Sequence, residues 1–158
     1  MAKISVIGAG SWGTALAHLL EKNGHDVTIW SCIEDEISML NEFREQKDKL
    51  PGVILSDKTV FTSDMEEALK DKDVVVLAVP SPFTRSTSKQ MSHFVKDGQI
   101  IVNVAKGIED ETLMTLSQII QQEIPQATVC VLSGPSHAEE VGKDIPTTIV
   151  VGTEDKDT

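Results

Sequence analysis

Residues 4–13 of the chain read ISVIGAGSWG. A short apolar strand pattern leads directly into Gly8, Gly10 and Gly13, which form a G-x-G-x-x-G motif. Gly8 permits a tight turn, Gly10 lets a phosphate group approach the backbone, and Gly13 allows the following helix to pack closely on the strand. A strand, this motif and a helix in that order predict a site where backbone N–H groups hold the pyrophosphate of a dinucleotide.

The rest of the chain alternates between strand and helix patterns. Apolar, β-branched runs predict strands at 3–8, 26–30, 59–62, 73–79, 99–104, 128–132 and 148–152. Helical patterns lie at about 12–23, 33–43, 64–70, 82–95, 111–123 and 136–142. This alternation predicts an α/β fold of the Rossmann type, with a doubly wound, mainly parallel sheet. Strand 73–79 is apolar on both faces, which is typical of a central strand.

Sequence signals also predict where helices begin and end. Capping boxes are predicted at Ser31-x-x-Glu34, Ser63-x-x-Glu66 and Ser136-x-x-Glu139. Gly24 is predicted to be the residue that follows the end of the first helix. Segment 44–58 is the longest connection and is expected to be a surface excursion.

Composition and charge exclude several classes of protein. The chain has 158 residues, of which 40% are hydrophobic and 25% charged, so we expect one folded domain. Its net charge of −11 repels nucleic acid and anionic membranes. The longest apolar run, at 74–79, is far shorter than the roughly 20 residues of a membrane span. Ligand phosphates must therefore be held by local groups, such as helix N-termini and a few placed cations.

The cysteines and the N-terminus indicate the compartment. Cys32 and Cys130 form no CxxC motif, which predicts free thiols and neither a disulfide framework nor a zinc site. His137 and Glu139 are too few to predict a metal site. The chain runs from Met1 straight into a strand and leaves no room for a secretory signal, so we expect a cytoplasmic protein.

Two strand ends carry candidate site residues, because ligands bind at the carboxyl edge of an open α/β sheet. After strand 73–79, Pro80 and Pro82 begin a helix, and Phe83 packs either on a nicotinamide ring or within that helix. After strand 99–104, Lys106 places an ammonium group beside the expected nicotinamide ring. There it can bond a substrate carbonyl oxygen and stabilise alkoxide charge during hydride transfer. Lys106 is therefore the predicted catalytic residue.

A third candidate is the segment LSGPSHAEEVG at 132–142. It turns through Gly134 and Pro135 into a helix at the same sheet edge, so groups of Gly134 and Ser136 can reach a small anionic substrate. His137 is either a proton-transfer group or a structural residue.

The end of the second strand leaves the choice of cofactor open. Residues 31–33 supply neither the acidic residue that binds a ribose 2′-hydroxyl nor the arginine that accepts the 2′-phosphate of NADP. NADH and NADPH both remain candidates. Trp30 is expected to pack in the core rather than flank an adenosine.

Four stretches carry a resemblance to a known family: GAGSWGTALA at 8–17, AVPS at 78–81, VAKGIE at 104–109 and LSGPSHAEEV at 132–141. Together they resemble the N-terminal domain of bacterial NAD(P)-dependent glycerol-3-phosphate dehydrogenase. The resemblance implies reversible reduction of dihydroxyacetone phosphate to sn-glycerol 3-phosphate by NADH or NADPH, a step that supplies phospholipid synthesis. A homodimer of the full-length protein is compatible with the resemblance.

The motifs and the resemblance together give a set of expected site residues. Cofactor contacts are expected from Gly8, Gly10, Ser11, Trp12, Gly13, Phe83, Lys106 and Ala138, and substrate contacts from Lys106, Gly134 and Ser136. The family usually has a basic residue just after the second strand, where this chain has Ser31, Cys32 and Ile33, so the family's usual preference for NADP leaves the choice between NADH and NADPH open here.

The resemblance also implies a second domain. Family members continue into a helical C-terminal domain that supplies the proton-transferring lysine, whereas this sequence ends in the polar residues 154–158. We therefore expect residues 1–158 to be a dinucleotide-binding fragment with little or no turnover.

Two other functions are compatible with a dinucleotide-binding fold. One is the cofactor domain of a 6-phosphogluconate or β-hydroxyacid type of reductase, against which the GPSHAEE segment counts. The other is a non-catalytic dinucleotide sensor. Lys106 distinguishes the sensor from an enzyme, because a sensor needs no ammonium group aimed at a substrate carbonyl.

Overall fold

The computed structural model describes residues 1–153, so the polar chain end at 154–158 lies outside the described residues. Within residues 1–153 there are seven strands: β1 (Lys3–Ile7), β2 (Asp26–Trp30), β3 (Val60–Thr62), β4 (Val74–Leu77), β5 (Ile100–Asn103), β6 (Thr128–Ser133) and β7 (Val150–Thr153). The same part of the chain has six α-helices: α1 (Ser11–Lys22), α2 (Glu34–Phe43), α3 (Met65–Leu69), α4 (Thr84–Met91), α5 (Leu116–Glu123) and α6 (Ala138–Val141). A 3-10 helix at Ser81–Phe83 precedes α4.

The strands form one sheet in the order β3-β2-β1-β4-β5-β6-β7. Strands β1 to β6 pair in parallel, and β7 runs antiparallel to β6. The predicted doubly wound, mainly parallel sheet is confirmed. Because the chain moves outward from β1 to β3 and then returns to place β4 beside β1, the strand order reverses between β1 and β4. A crevice opens at such a switch point, at the carboxyl ends of the strands.

Apolar clusters cover both faces of the central strand β4. Val75 and Leu77 belong to a cluster with Met91 and Ile120, from the helices on one face. Val76 belongs to a second cluster, which includes Leu16 of α1 on the other face. Alternate residues of a strand point to opposite faces, so the apolar run of β4 fills both layers of the core, as the sequence predicts.

The three predicted capping boxes are wrong. At α2 the Ser31 hydroxyl bonds the Glu36 carboxylate, and Ile33 precedes the helix without a side-chain cap. At α3 the cap is Asp64, whose carboxylate accepts from the N–H groups of the first turn. At α6 the residue before the helix is His137. A short polar residue in the sequence indicates that a helix begins nearby, but it gives the position of the N-cap only to within one or two residues.

Other helix boundaries also differ from the prediction. The helix predicted at 111–123 begins only at Leu116, because Thr115 and Gln118 form a capping box and a β-bridge joins Ile108 to Thr115. The helix predicted at 82–95 is split into a 3-10 turn and α4, which ends at Met91. Gly24 follows α1 with a φ of +84°, so its predicted position is confirmed.

Segment 44–58 contradicts the expectation of a surface excursion. Gln46, Leu50 and Val53 are buried. Leu50 and Val53 pack in a cluster that also contains Ala15 of α1 and residues of α6. The segment is therefore part of the packing around the start of α1.

Among residues 1–153, no helix is long and apolar enough to cross a membrane. Cys32 is exposed and Cys130 is buried, and both are free thiols.

Candidate functional site

A cleft of about 1030 Å³ opens at the carboxyl ends of β1, β2, β4 and β5 and reaches the start of α6. Its walls include eight of the expected site residues: Gly8, Gly10, Ser11, Trp12, Phe83, Lys106, Ser136 and Ala138. Gly13 and Gly134, the other two expected residues, do not line the cleft. A cleft of this volume at a topological switch point accommodates a ligand of dinucleotide size.

The glycine loop shapes the middle of the cleft. Gly8 has a φ of +120°, and a Cβ atom there would lie 2.9 Å from the backbone of Ala78. A Cβ atom at Gly13 would lie 2.0 Å from the carbonyl oxygen of Gly8. By contrast, no other atom of residues 1–153 outside the immediate neighbours of Gly10 lies within 4 Å of a Cβ atom placed there. Gly8 and Gly13 therefore meet the packing needs expected from the motif, and Gly10 leaves open space for a ligand.

The N-terminus of α1 faces this open space. Within the described chain, no protein acceptor bonds the backbone N–H of Gly10, Ser11, Trp12 or Gly13. The first turn of α1 contains no acidic side chain. These N–H groups and the positive end of the helix dipole suit a pyrophosphate, which supplies the acceptors that they lack.

Trp12 joins the glycine loop to β5. Its Nε1–H donates a hydrogen bond of 3.2 Å to the carbonyl oxygen of Val104, two residues before Lys106. The indole also packs against the cluster formed by segment 44–58 and α6. Trp12 therefore links three parts of the cleft wall.

Lys106 brings two of the expected substrate segments together. Its Nζ donates a hydrogen bond of 2.9 Å to the carbonyl oxygen of Gly134. The same carbonyl accepts from the backbone N–H of Ser136 at 2.9 Å. Because the partner of Lys106 is a neutral carbonyl rather than a carboxylate, the positive charge of the ammonium group stays available to a ligand. Gly134 itself is required by packing, since a Cβ atom there would lie 2.4 Å from the oxygen of Thr148.

An ion pair that sequence analysis did not predict holds the loop after Lys106. Arg85 of α4 bonds both carboxylate oxygens of Glu109 at 2.7 Å. It also bonds Glu123 of α5 at 2.5 Å. The hydrogen bonds from Arg85, and a further one from Thr112, lower the pKa of Glu109 to about 2. This pair ties the Lys106 loop to α4, which lines part of the cleft, and to α5.

The end of β2 carries a second unexpected pair. Glu36 is buried, accepts a hydrogen bond of 2.5 Å from the Ser31 hydroxyl, and forms an ion pair with Lys49. Glu36 and Lys49 both line the cleft. Sequence analysis missed Lys49 because it lies in segment 44–58, far along the chain from β2.

Three residues with aromatic rings, for which the sequence left alternatives, lie at the cleft. Trp30 is buried and its Nε1–H donates to the carbonyl oxygen of Ser63 at 3.0 Å, so the predicted core packing is confirmed. Phe83 is 59% exposed on the 3-10 helix at the cleft, which rules out packing within a helix. His137 also lines the cleft, at the N-cap position of α6.

In residues 1–153 no group of three or more His, Cys, Asp and Glu side chains is arranged to hold a metal ion. The fold and the cleft together define the class of protein: an α/β dinucleotide-binding domain of the Rossmann type.

Comparisons with known proteins place the chain within this class. Residues 3–158 match the sequence model of the family described as NAD-dependent glycerol-3-phosphate dehydrogenase N-terminus. The chain belongs to this family.

Named relatives and a solved structure agree. Glycerol-3-phosphate dehydrogenase (NAD(P)+) of Agathobacter rectalis is 60% identical over 152 residues, which cover 96% of this chain and 45% of that protein. The Fusobacterium nucleatum protein of the same name is 54% identical, over 99% of this chain and 48% of its own length. The crystal structure of glycerol-3-phosphate dehydrogenase from Coxiella burnetii superposes with a TM-score of 0.93 at 26% identity, covering 99% of this chain and 48% of that one. The chain thus spans about half the length of these relatives.

Proposed function

We propose that this chain is the cofactor-binding half of a glycerol-3-phosphate dehydrogenase that interconverts dihydroxyacetone phosphate and sn-glycerol 3-phosphate, using NADH or NADPH. One observation carries the proposal: Lys106 donates a hydrogen bond to the Gly134 carbonyl and lines a cleft that also contains the open glycine loop. A pyrophosphate site and a cation beside a small-substrate segment are two of the parts that such a reaction requires.

The residues of this chain divide the chemistry between two ends of the cleft. When bound, the nicotinamide supplies or accepts the hydride. At the glycine loop, the N–H groups of Gly10 and Ser11 hold the pyrophosphate. At the other end, Lys106 donates a hydrogen bond to the substrate oxygen and stabilises the negative charge that develops there. The Ser136 hydroxyl and nearby backbone groups bind the small anionic substrate.

The remaining parts of the proposal concern the whole protein. We assign residues 1–158 to one dinucleotide-binding domain and the proton-transferring lysine to a helical second domain, as the resemblance implies. Turnover requires both domains, so this chain alone binds the cofactor with little or no catalysis. The protein acts in the cytoplasm on a small phosphorylated substrate, in the supply of glycerophospholipids.

A fluorescence titration with NADH and NADPH tests the cofactor site. Both tryptophans, Trp12 and Trp30, line the cleft, so saturable quenching with energy transfer to the reduced nicotinamide is expected. Free tryptophan amide at the same absorbance controls for inner-filter loss. Failure of both cofactors to quench the folded chain would refute an autonomous cofactor site.

Replacing Lys49 by alanine is expected to weaken NADPH binding by about tenfold or more and to change NADH binding less than twofold. Lys49 lines the cleft at the end of β2, where a 2′-phosphate is expected, and its removal leaves the Glu36 carboxylate without its counterion. Lys47→Ala is the matched control, because Lys47 lies over the ring of Phe43 and does not line the cleft. Equal losses of affinity for NADH and NADPH would show that Lys49 does not bind the 2′-phosphate.

A further inference from the structure

Gln46, in segment 44–58, is buried beside the glycine loop, with only 1% of its surface exposed. Its carbonyl oxygen accepts from the N–H of Leu50 at 2.9 Å, and its Oε1 accepts from the N–H of Asp48 at 3.3 Å. Leu50 in turn packs with α1 and α6. Gln46 is therefore anchored at both its backbone and its side chain.

The amide nitrogen of the Gln46 side chain bonds the glycine loop. Its Nε2 donates a hydrogen bond of 3.0 Å to the carbonyl oxygen of Ala9, in a buried position 37 residues away along the chain. The hydroxyl of Thr14 donates to the same oxygen at 3.4 Å. A buried amide that loses its partner destabilises the folded chain, so this contact strongly favours one orientation of the Ala9 carbonyl.

The orientation of the Ala9 carbonyl decides the orientation of the next N–H. In a planar trans peptide, the C=O of one residue and the N–H of the following residue point in opposite directions. Since the Ala9 oxygen is turned inward to Gln46, the Gly10 N–H is turned away from it, toward the open side that Gly10 lines. No acceptor within residues 1–153 takes that N–H.

We propose that Gln46 is a positioning residue for the pyrophosphate site: by bonding the Ala9 carbonyl, it holds the Gly10 N–H in the orientation that a pyrophosphate needs. The inference rests on the proposed dinucleotide function and assigns to segment 44–58 a role in it. Glycine has the widest conformational freedom of any residue, so the peptide before Gly10 needs such an external contact to stay in one orientation. A preorganised donor binds its ligand without a further ordering cost.

Gln46→Met tests the proposal, because methionine has a similar length and volume but no donor. We expect the Kd for NADH, measured on this chain by tryptophan quenching, to rise about tenfold. The matched control is Gln99→Met. Gln99 is also buried and donates to the carbonyl oxygen of Asp73 at 3.0 Å, but it lies at the amino-terminal edge of the sheet, away from the cleft. Each variant loses its amide-to-carbonyl hydrogen bond, and Gln46→Met also loses the longer bond from the Asp48 N–H. Tm is therefore expected to fall in both variants, and somewhat more in Gln46→Met, while only Gln46→Met weakens NADH binding.

A second measurement separates this proposal from the proposed function. In nitrogen–proton NMR spectra of the ligand-free chain, the Gly10 amide signal is expected to shift or broaden in Gln46→Met and to stay unchanged in Gln99→Met. An unchanged Gly10 signal, or NADH affinity within twofold of wild type, would overturn the positioning role. If the wild-type chain binds neither cofactor, the chain has no autonomous cofactor site and the proposal, which rests on one, fails too; the Gly10 signal then reports only whether Gln46 orders the loop.

Discussion

Alanine in place of Gly13 is expected to destabilise the chain by at least about 3 kcal/mol, enough to unfold much of it at moderate temperature. The new Cβ atom would lie 2.0 Å from the carbonyl oxygen of Gly8, a backbone atom that cannot move without displacing β1 or α1. The helix propensity of alanine returns only about 1 kcal/mol, so the steric clash dominates. Thermal and denaturant unfolding followed by circular dichroism measure the loss.

The matched variant is Gly10→Ala, in the same loop. In the described part of the chain the added Cβ atom meets no non-neighbouring atom within 4 Å, so the unfolding midpoint of this variant is expected to stay close to that of wild type. The added methyl group stands where the pyrophosphate must approach, so NADH affinity is expected to fall at least tenfold. If Gly13→Ala folds as stably as Gly10→Ala, close packing between α1 and the glycine loop does not set the stability of this part of the fold.

Most of the fold can be predicted from the sequence because the signals that specify it are local. The apolar run at 74–79 encodes a strand covered on both faces, and the glycine motif after β1 specifies a strand, a turn and a helix in order. Boundaries are less well encoded. Serine, for example, is a residue type that often caps a helix, but the Ser31 hydroxyl donates its hydrogen bond to the Glu36 carboxylate instead. Only the folded chain shows this contact.

In the candidate site, too, the residues with local sequence signals can be predicted and those that depend on distant contacts cannot. Gly10 and Lys106 lie at strand ends, so their places in the cleft follow from the topology of a parallel sheet. Gln46, Lys49 and Arg85 were missed, because each acts through a partner that is distant in sequence: Ala9, Glu36 and Glu109. Polar residues in a segment without a periodic pattern resemble surface residues until the packing beneath them is known.

Lys106→Ala is expected to lower kcat by about 10²–10³-fold in an active enzyme, the usual cost of removing one donor that stabilises a developing oxyanion. The activity can be measured by fusing this chain to the C-terminal half of the Agathobacter rectalis relative, whose N-terminal half is 60% identical to it. Among residues 1–153, Lys106 bonds only the Gly134 carbonyl, and it is exposed, so the unfolding midpoint of the variant is expected to stay near that of wild type.

The control is Lys96→Ala in the same fusion, because Lys96 pairs with Asp71 on the surface away from the cleft and its loss removes the same charge. Lys96→Ala is expected to retain kcat, so that a loss confined to Lys106→Ala reports the position of the ammonium group rather than the net charge. Turnover by Lys106→Ala within a few-fold of wild type would refute its catalytic role. A wild-type fusion that folds and binds NADH but never oxidises it with dihydroxyacetone phosphate would instead favour the non-catalytic sensor, for which an ammonium group beside the Gly134 carbonyl has only a structural use.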